Sequence, residues 1–354
     1  MKPFRTLPIV LAMAATCGGA GAQELRAGIV APLSGASAIL GRQVEAGARH
    51  AAEVLGVAVE VVDDACTAKG GAEAARKLSR AEVRVAVGFL CTEAIEAALP
   101  ILKDANIWVI TPGVRTDSLT DRRHKTGWPL FRLAPRADGE RAAVSALIPA
   151  LWREELFAIV DDGTIYGREL AESLRLAVEQ AGLKPVFVDT FRPQLDNQIA
   201  LVGRLRKAGA THVFVGGDRD DIAILGRDAA ELGVPLVIAG GESLRAAGDI
   251  PLAAGTLMIA PTDWAGLADP AVLASLSEKG IGADGYVLPA HAAMEIAIEA
   301  ARKAGGGSLA DALAPGEFAT AIGPVAFDEK GDLTRNPYAL FRYDGARFVA
   351  AGEE

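Results

Sequence analysis

Short runs rich in Val and Ile alternate with longer Ala/Leu/Glu/Arg segments through most of this chain, and that alternation restricts the fold more than any other feature. The runs lie at 25–31, 57–62, 83–90, 107–111, 156–160, 186–190, 212–216, 236–239 and 256–260, and they end in Gly, Pro, Ser or Asp. Segments with helical patterning lie between or beyond them, at 41–55, 70–80, 94–105, 139–151, 167–181, 199–208, 220–232 and 289–303. A run that is apolar along its whole length reads as a strand buried on both faces. In strand–helix alternation this means a parallel sheet covered by helices on each side. With right-handed crossovers the expected class is α/β, doubly wound.

The 332 residues beyond position 22 are too many for one sheet of modest size. Two units of ~120–150 residues fit better. Joints are expected near 132–139 (RLAPRADG) and near 261–270 (PTDWAGLADP). Residues 322–350 read as strand and turn around Asp328-Glu-Lys-Gly331. No repeat with a period of 20–50 residues is present.

Residues 1–22 read as an export signal. Lys2 and Arg5 form a positive n-region, LPIVLAMAA (7–15) an apolar core, and Ala20-Gly21-Ala22 a small-residue cleavage site, so the mature chain begins at Gln23. Nine apolar residues are too few to span a bilayer, which needs about 20. A lipoprotein reading through Cys17 meets an unfavourable Thr16. Cleavage leaves Cys66 and Cys91, which in an oxidising compartment read as a disulfide closing a loop of 24 residues. Two buried thiols are the alternative.

Composition and motifs exclude several classes. The formal charge is −9, or −11 after loss of Lys2 and Arg5, with no basic stripe to meet phosphates, so nucleic acid is not an expected partner. There is no G-x-S-x-G elbow, Walker A loop or H-E-x-x-H. His50, His124, His212 and His291 are scattered singly and read as structural or solvated, so no metal site and no cofactor is expected. Gly70-Gly71 reads as a tight turn beside the bridge, with anion binding at a helix start as the sharper alternative.

Polar residues cluster instead where the expected strands end: 32–35 (PLSG), 90–92 (LCT), 111–115 (TPGVR), 166–167 (YG), 216–218 (GGD) and 240–242 (GGE). Open α/β sheets bind ligands outside the carboxyl ends of their strands. The first three clusters belong to one unit and the others to the second, which describes a cleft between two lobes.

At these residues the chain resembles the leucine/isoleucine/valine-binding proteins of bacterial ABC importers, with the type I periplasmic binding fold. The resemblance covers nearly the whole mature chain. It rests on P-L-S-G (32–35) with Gly41 and Gly47, the Cys66/Cys91 pair, G-F-L-C-T (88–92), I-T-P-G (110–113), Y-G (166–167), G-G-D, G-G-E and a late G-P…F-D-E-K-G-D (323–332). It implies two doubly wound lobes joined by a three-stranded hinge, with crossings near 134–138, 262–266 and 334–338. Lobe 1 would be 23–136 with 265–336, and lobe 2 would be 137–264 with 337–354. It also implies a periplasmic location, a small-molecule ligand, a membrane permease as partner, and no catalysis.

Site roles carry over position by position. Thr92 replaces a serine that grips the ligand carboxylate, and Arg115 stands where a threonine shares that task. The backbone at Gly113 touches the ligand, Tyr166 closes over it, and Glu242 pairs with its α-ammonium. Asp218 replaces a tyrosine, Leu40 an aromatic of the side-chain pocket, and Leu90 precedes the bridge at the same cleft. Arginine on a carboxylate with Glu242 on an ammonium suits a zwitterion, because charge-assisted bonds are roughly twice as strong as neutral ones. Asp218 leaves three readings open: a pair with Arg115, a ligand with a polar or cationic side chain, or a small carboxylate or amide that is not an amino acid. Its alternative role is the N-cap of the helix at 220–232. An enzyme on the same fold is disfavoured by the lack of a nucleophile–base pair, and a ligand-sensing module is the other alternative.

Overall fold

In the computed structural model, which describes residues 25–314 and 316–351, each Val/Ile run becomes a strand whose ends fall within two residues of the expected ones. The export segment expected at 1–22 lies outside the described residues. In chain order the strands are β1 (Arg26–Ala31), β2 (Ala58–Asp63), β3 (Val85–Gly88), β4 (Trp108–Thr111), β5 (Leu130–Arg132), β6 (Phe157–Asp161), β7 (Phe187–Thr190), β8 (His212–Gly216), β9 (Val237–Gly240), β10 (Leu257–Pro261), β11 (Glu317–Thr320), β12 (Gly323–Ala326), β13 (Tyr338–Tyr343) and β14 (Phe348–Ala350).

The first five form a parallel sheet in the order β2-β1-β3-β4-β5. A seven-stranded sheet runs β14-β13-β10-β9-β8-β6-β7, and β11 with β12 makes an antiparallel hairpin. Burial follows position in the sheet. Central β3 (VAVG) is buried throughout, whereas edge strands β2 (AVEVVD) and β7 (FVDT) expose part of their length and accommodate Glu60, Asp63 and Asp189 there.

The second sheet is not parallel throughout, as the alternation alone suggests. β13 pairs antiparallel with β10, and β14 antiparallel with β13. The hinge is the reason. β10 ends at Pro261 where the chain leaves for the first lobe, and the returning chain enters β13 at Tyr338, directly opposite Pro261. A strand that starts where its neighbour ends must run the other way.

Helices cover both faces of each sheet. In the first lobe, Ala38–Val54 and Val287–Ala304 share one core layer, and Ala68–Arg80 with Thr92–Asp104 the opposite layer. Gly47 faces the backbone carbonyl of Val287 at a separation that leaves no room for a Cβ, and Gly41 stands likewise against Pro32. The expected turn at Gly70-Gly71 is instead the first turn of Ala68–Arg80. There Gly70 packs on the backbone of Asp64 and Gly71 on that of Ala94, so the pair serves close packing. Cys66 and Cys91 form a disulfide with Cα atoms 5.3 Å apart, tying the end of β2 to the start of Thr92–Asp104. In the second lobe, Gly139–Leu151 and Ile165–Gln180 cover one face, and Ile199–Ala208 with Arg219–Glu231 the other.

The chain passes between the sheets after Arg132, after Pro261 and before Tyr338. The late F-D-E-K-G-D motif fastens the first and third of these crossings together. Arg132 donates from Nε to Asp332 Oδ1 at 2.8 Å and from its backbone to Gly331 O at 2.7 Å, and Arg136 donates to Asp332 Oδ2 at 2.6 Å. Asp328 Oδ1 accepts from the backbone of Lys330 and Asp332, both at 2.9 Å, and shapes the turn that presents Asp332.

Candidate functional site

The loop after β4 faces those after β6, β8 and β9 across the crevice. Thr111, fully buried at the end of β4, folds its loop by donating to Phe89 O at 3.0 Å and accepting from Val114 N–H at 3.1 Å. This turn presents Gly113, packed so closely on Leu90 that a Cβ would displace that side chain, and then Arg115.

Arg115 reaches the other lobe. Its Nη1 donates to Glu242 Oε1 at 3.0 Å, and Nη2 contacts both Glu242 Oε2 and the Tyr338 hydroxyl. Tyr338, at the start of β13, donates to Glu242 Oε2 at 2.7 Å. Burial alone would lower the Arg115 pKa, but the Glu242 bond and the nearby Tyr338 and Glu140 outweigh it and hold it above its ordinary value. Burial and then the Glu242 carboxylate push the Tyr338 phenol well up.

Glu242 opens the short 3-10 turn Glu242–Arg245 after β9. Its own N–H donates to Glu140 Oε1 at 2.6 Å, and the Tyr166 hydroxyl donates to the same oxygen at 2.8 Å. Glu140 lies in the first turn of Gly139–Leu151 and is 5% exposed. Burial first, and then the neighbouring Glu242, push its carboxyl up to about 7 against the bonds it accepts and the pull of Arg115. Ser243 completes the turn by donating from Oγ to Gly217 O at 2.7 Å.

Two cavities meet at this cluster. One, of about 620 Å³, is lined by Arg115, Thr164, Tyr166, Asp218, Glu242, Ser243, Arg245, Ala246 and Pro261. The other, of about 410 Å³, runs past Gly113, Pro135, Trp264, Asp284 and Tyr286. Arg115, Arg245 and Pro261 line both, so the ion pair stands at their junction.

The structure thus brings Arg115, Tyr166, Asp218 and Glu242 to one cavity, and Gly113 with Arg115 to the other. Arg115 pairs with Glu242 and not with Asp218. Asp218 occupies the N-cap position of Arg219–Glu231, yet its side chain makes no capping bond and is exposed to the cleft. Thr92 lines neither cavity; its hydroxyl bonds that of Thr116 at 2.7 Å, one residue beyond Arg115. Leu90 backs Gly113 from behind. Leu40, 40% exposed on Ala38–Val54, also lines neither cavity.

Glu140, Arg245, Tyr286 and Tyr338 escape the sequence reading. Arg245 has a local signal, since three residues after Glu242 it shares one helical turn with it. The other three come from distant segments, and only the proximity of Glu140 and Tyr338 to the expected crossings marks them.

The family model described as periplasmic binding protein matches residues 24–348. The chain is 30% identical over 364 residues to "Leu/Ile/Val-binding protein homolog 3" of Brucella melitensis biotype 1, covering 96% of this chain and 97% of that protein. Among solved structures it resembles a putative branched-chain amino acid ABC transporter from Rhodospirillum rubrum, with a TM-score of 0.76 at 19% identity over 93% of this chain and 100% of that one. It also resembles an ABC transporter solute-binding protein from Rhodopseudomonas palustris BisB5 in complex with 3,4-dihydroxybenzoic acid, with a TM-score of 0.61 at 18% identity over 92% and 96% of the two chains. Two wound lobes, three crossings and a charged crevice between them agree with what the sequence match establishes: the chain belongs to the periplasmic binding protein family.

Proposed function

We propose that this chain is the solute receptor of an ABC importer, exported through residues 1–22 to the periplasm, and that it captures a small amino acid or amino-acid-like molecule between its lobes. The observation that carries this reading is the meeting of Arg115 from one lobe with Glu242 from the other at the junction of two cavities. A zwitterion inserted there exchanges one internal ion pair for two: its carboxylate on Arg115 and its ammonium on Glu242, with Tyr166 and the Gly113 backbone closing around it. The lobes, 23–136 with 265–336 and 137–264 with 337–354, are then held together by contacts that exist only in the closed form, which is a population shift. A permease would recognise that form, and the chain's role is binding rather than turnover.

A second reading has its own support. Both carboxylate oxygens of Glu242 are engaged by Arg115 and Tyr338, whereas Arg245 lines the same cavity and donates to an uncharged partner, the Pro261 carbonyl. A small carboxylate without an ammonium would pair with Arg245 and leave the internal pair intact.

Calorimetry on mature protein refolded from denaturant, which strips bound solute, separates the two. L-Leucine and its 2-oxo acid form the matched test pair within a wider panel of amino acids and aromatic acids. Under the first reading an amine ligand binds, and Glu242→Ala weakens it by at least about 2 kcal/mol, the scale of a lost charge-assisted bond. Binding of the oxo acid alone, or amine affinity unchanged in Glu242→Ala, would favour the second.

A further inference from the structure

Glu140 stands behind the wall of the cleft and holds two of its residues with one atom. Its Oε1 accepts from the Tyr166 hydroxyl at 2.8 Å and from the Glu242 N–H at 2.6 Å. Three segments are joined there: the start of Gly139–Leu151, the first turn of Ile165–Gln180, and the turn Glu242–Arg245. Gly241 shows how close the joint is. A Cβ at that position would collide with both Glu140 Oε1 and the Tyr166 hydroxyl, so the second glycine of G-G-E is what lets the three segments close. A carboxyl group this buried is costly to place, and its bonds are spent on positioning the cleft.

The groups that face Glu140 are the Glu242 carboxylate, the phenols of Tyr166 and Tyr338, and the Arg115 guanidinium. The adjacent Arg141 turns away to pair with Glu169 at 2.6 Å. Apart from Arg115, which Glu242 already engages, no cation appears among these facing groups.

We propose that Glu140 is the positioning residue of this cleft, holding Tyr166 and Glu242 in register and placing a second carboxylate behind Glu242, so that the site selects ligands with a cationic amine. This rests on the reading of Glu242 as the ammonium anchor. It has a consequence in protons. With its carboxyl pushed up to about 7, Glu140 is ionised further if the ammonium that takes the place of Arg115 at Glu242 stands closer to it than the guanidinium did, and binding then expels a proton. Amine affinity therefore rises with pH through about 7, by at most tenfold per pH unit, and levels off above it.

The test measures L-leucine affinity of the mature chain by calorimetry between pH 5.5 and 8.5, in buffers of different ionisation enthalpy. The wild type should bind at least threefold more tightly at pH 8 than at pH 6 and release protons near pH 7. E140Q, which keeps an acceptor oxygen but cannot exchange the proton, should bind with a flat profile, and Glu140→Ala should bind weakly at every pH. Wild-type pH dependence in E140Q would overturn the inference while leaving the amine reading intact. Wild-type affinity in E242Q would overturn the reading itself. A readout free of ligand and of variant folding is a carbon-13 NMR titration of glutamate carboxyls in the ligand-free wild type. One midpoint near 7, lost in E140Q, is expected, and all midpoints below 5 would sink the proposal.

Discussion

His50, packed beside His291, illustrates how burial turns a single residue into a determinant of pH stability. Each is 2% exposed, their rings lie 5.2 Å apart, and His50 Nε2 contacts Ser275 Oγ at 2.9 Å. Burial first, then His291 and Lys279, hold the His50 pKa below its ordinary value. An unfolded histidine takes up a proton below about pH 6.5 that the native one refuses, so stability falls as pH drops through that range. His50→Gln, which can keep the bond to Ser275, should show a shallower decline in Tm between pH 6.5 and 5 than the wild type, and parallel declines would exclude His50 as a cause. Glu140 acts with the opposite sign. Its folded-state pKa is raised, so the native state keeps a proton that the unfolded chain loses between about pH 4.5 and 7, and its contribution to stability fades as pH rises across that window.

At the scale of elements, the glycines and the late acidic motif act through geometry. Gly47 lets Ala38–Val54 and Val287–Ala304 approach to backbone contact, and Gly71 does the same for Ala68–Arg80 against Thr92–Asp104. Asp332 matters differently. It is 2% exposed and receives both Arg132, itself 1% exposed, and Arg136, so one carboxylate fastens β5 to the segment that returns to β13. Removing one partner of a buried pair leaves the other charged and desolvated, at a cost of about 3–5 kcal/mol. Asp332→Ala should lower the stability measured by denaturant unfolding by that order, and a loss under about 1 kcal/mol would mean that water or Asp121 replaces the lost partner.

Across the whole molecule, one side-chain bridge couples the lobes. Arg115 in the first lobe meets Glu242 and Tyr338 in the second, with its guanidinium 5.8 Å from the Tyr338 ring centre. The contact favours approach of the lobes, and a solute that replaces it must supply better cross-lobe bonds. Arg115→Thr removes the bridge without touching either core. The ligand-free variant should show a larger radius of gyration in small-angle scattering than the ligand-free wild type, and superimposable curves would show that Arg115 does not hold the lobes together.

What the sequence alone determines here is whatever depends on local pattern. Apolar runs of four to eight residues and helical periodicity between them are set by neighbours in the chain, so the α/β class and nearly every central strand are legible, as is a cleft at the strand ends. Several of the loops that line the cleft can be placed too, because Gly and Pro mark where those loops turn. What only the tertiary structure decides is which charges meet. Arg115 and Glu242 are 127 residues apart, and Glu242 and Tyr338 are 96 apart. Nothing in the local pattern says that Arg115 faces Glu242 instead of Asp218, or that Glu140 stands behind both Tyr166 and Glu242. The antiparallel run of β13 is decided in the same way, by the place where the hinge returns the chain. Hydrophobic patterning acts along the chain and builds the lobes. The chemistry of the cleft arises between segments that only the packed lobes bring together.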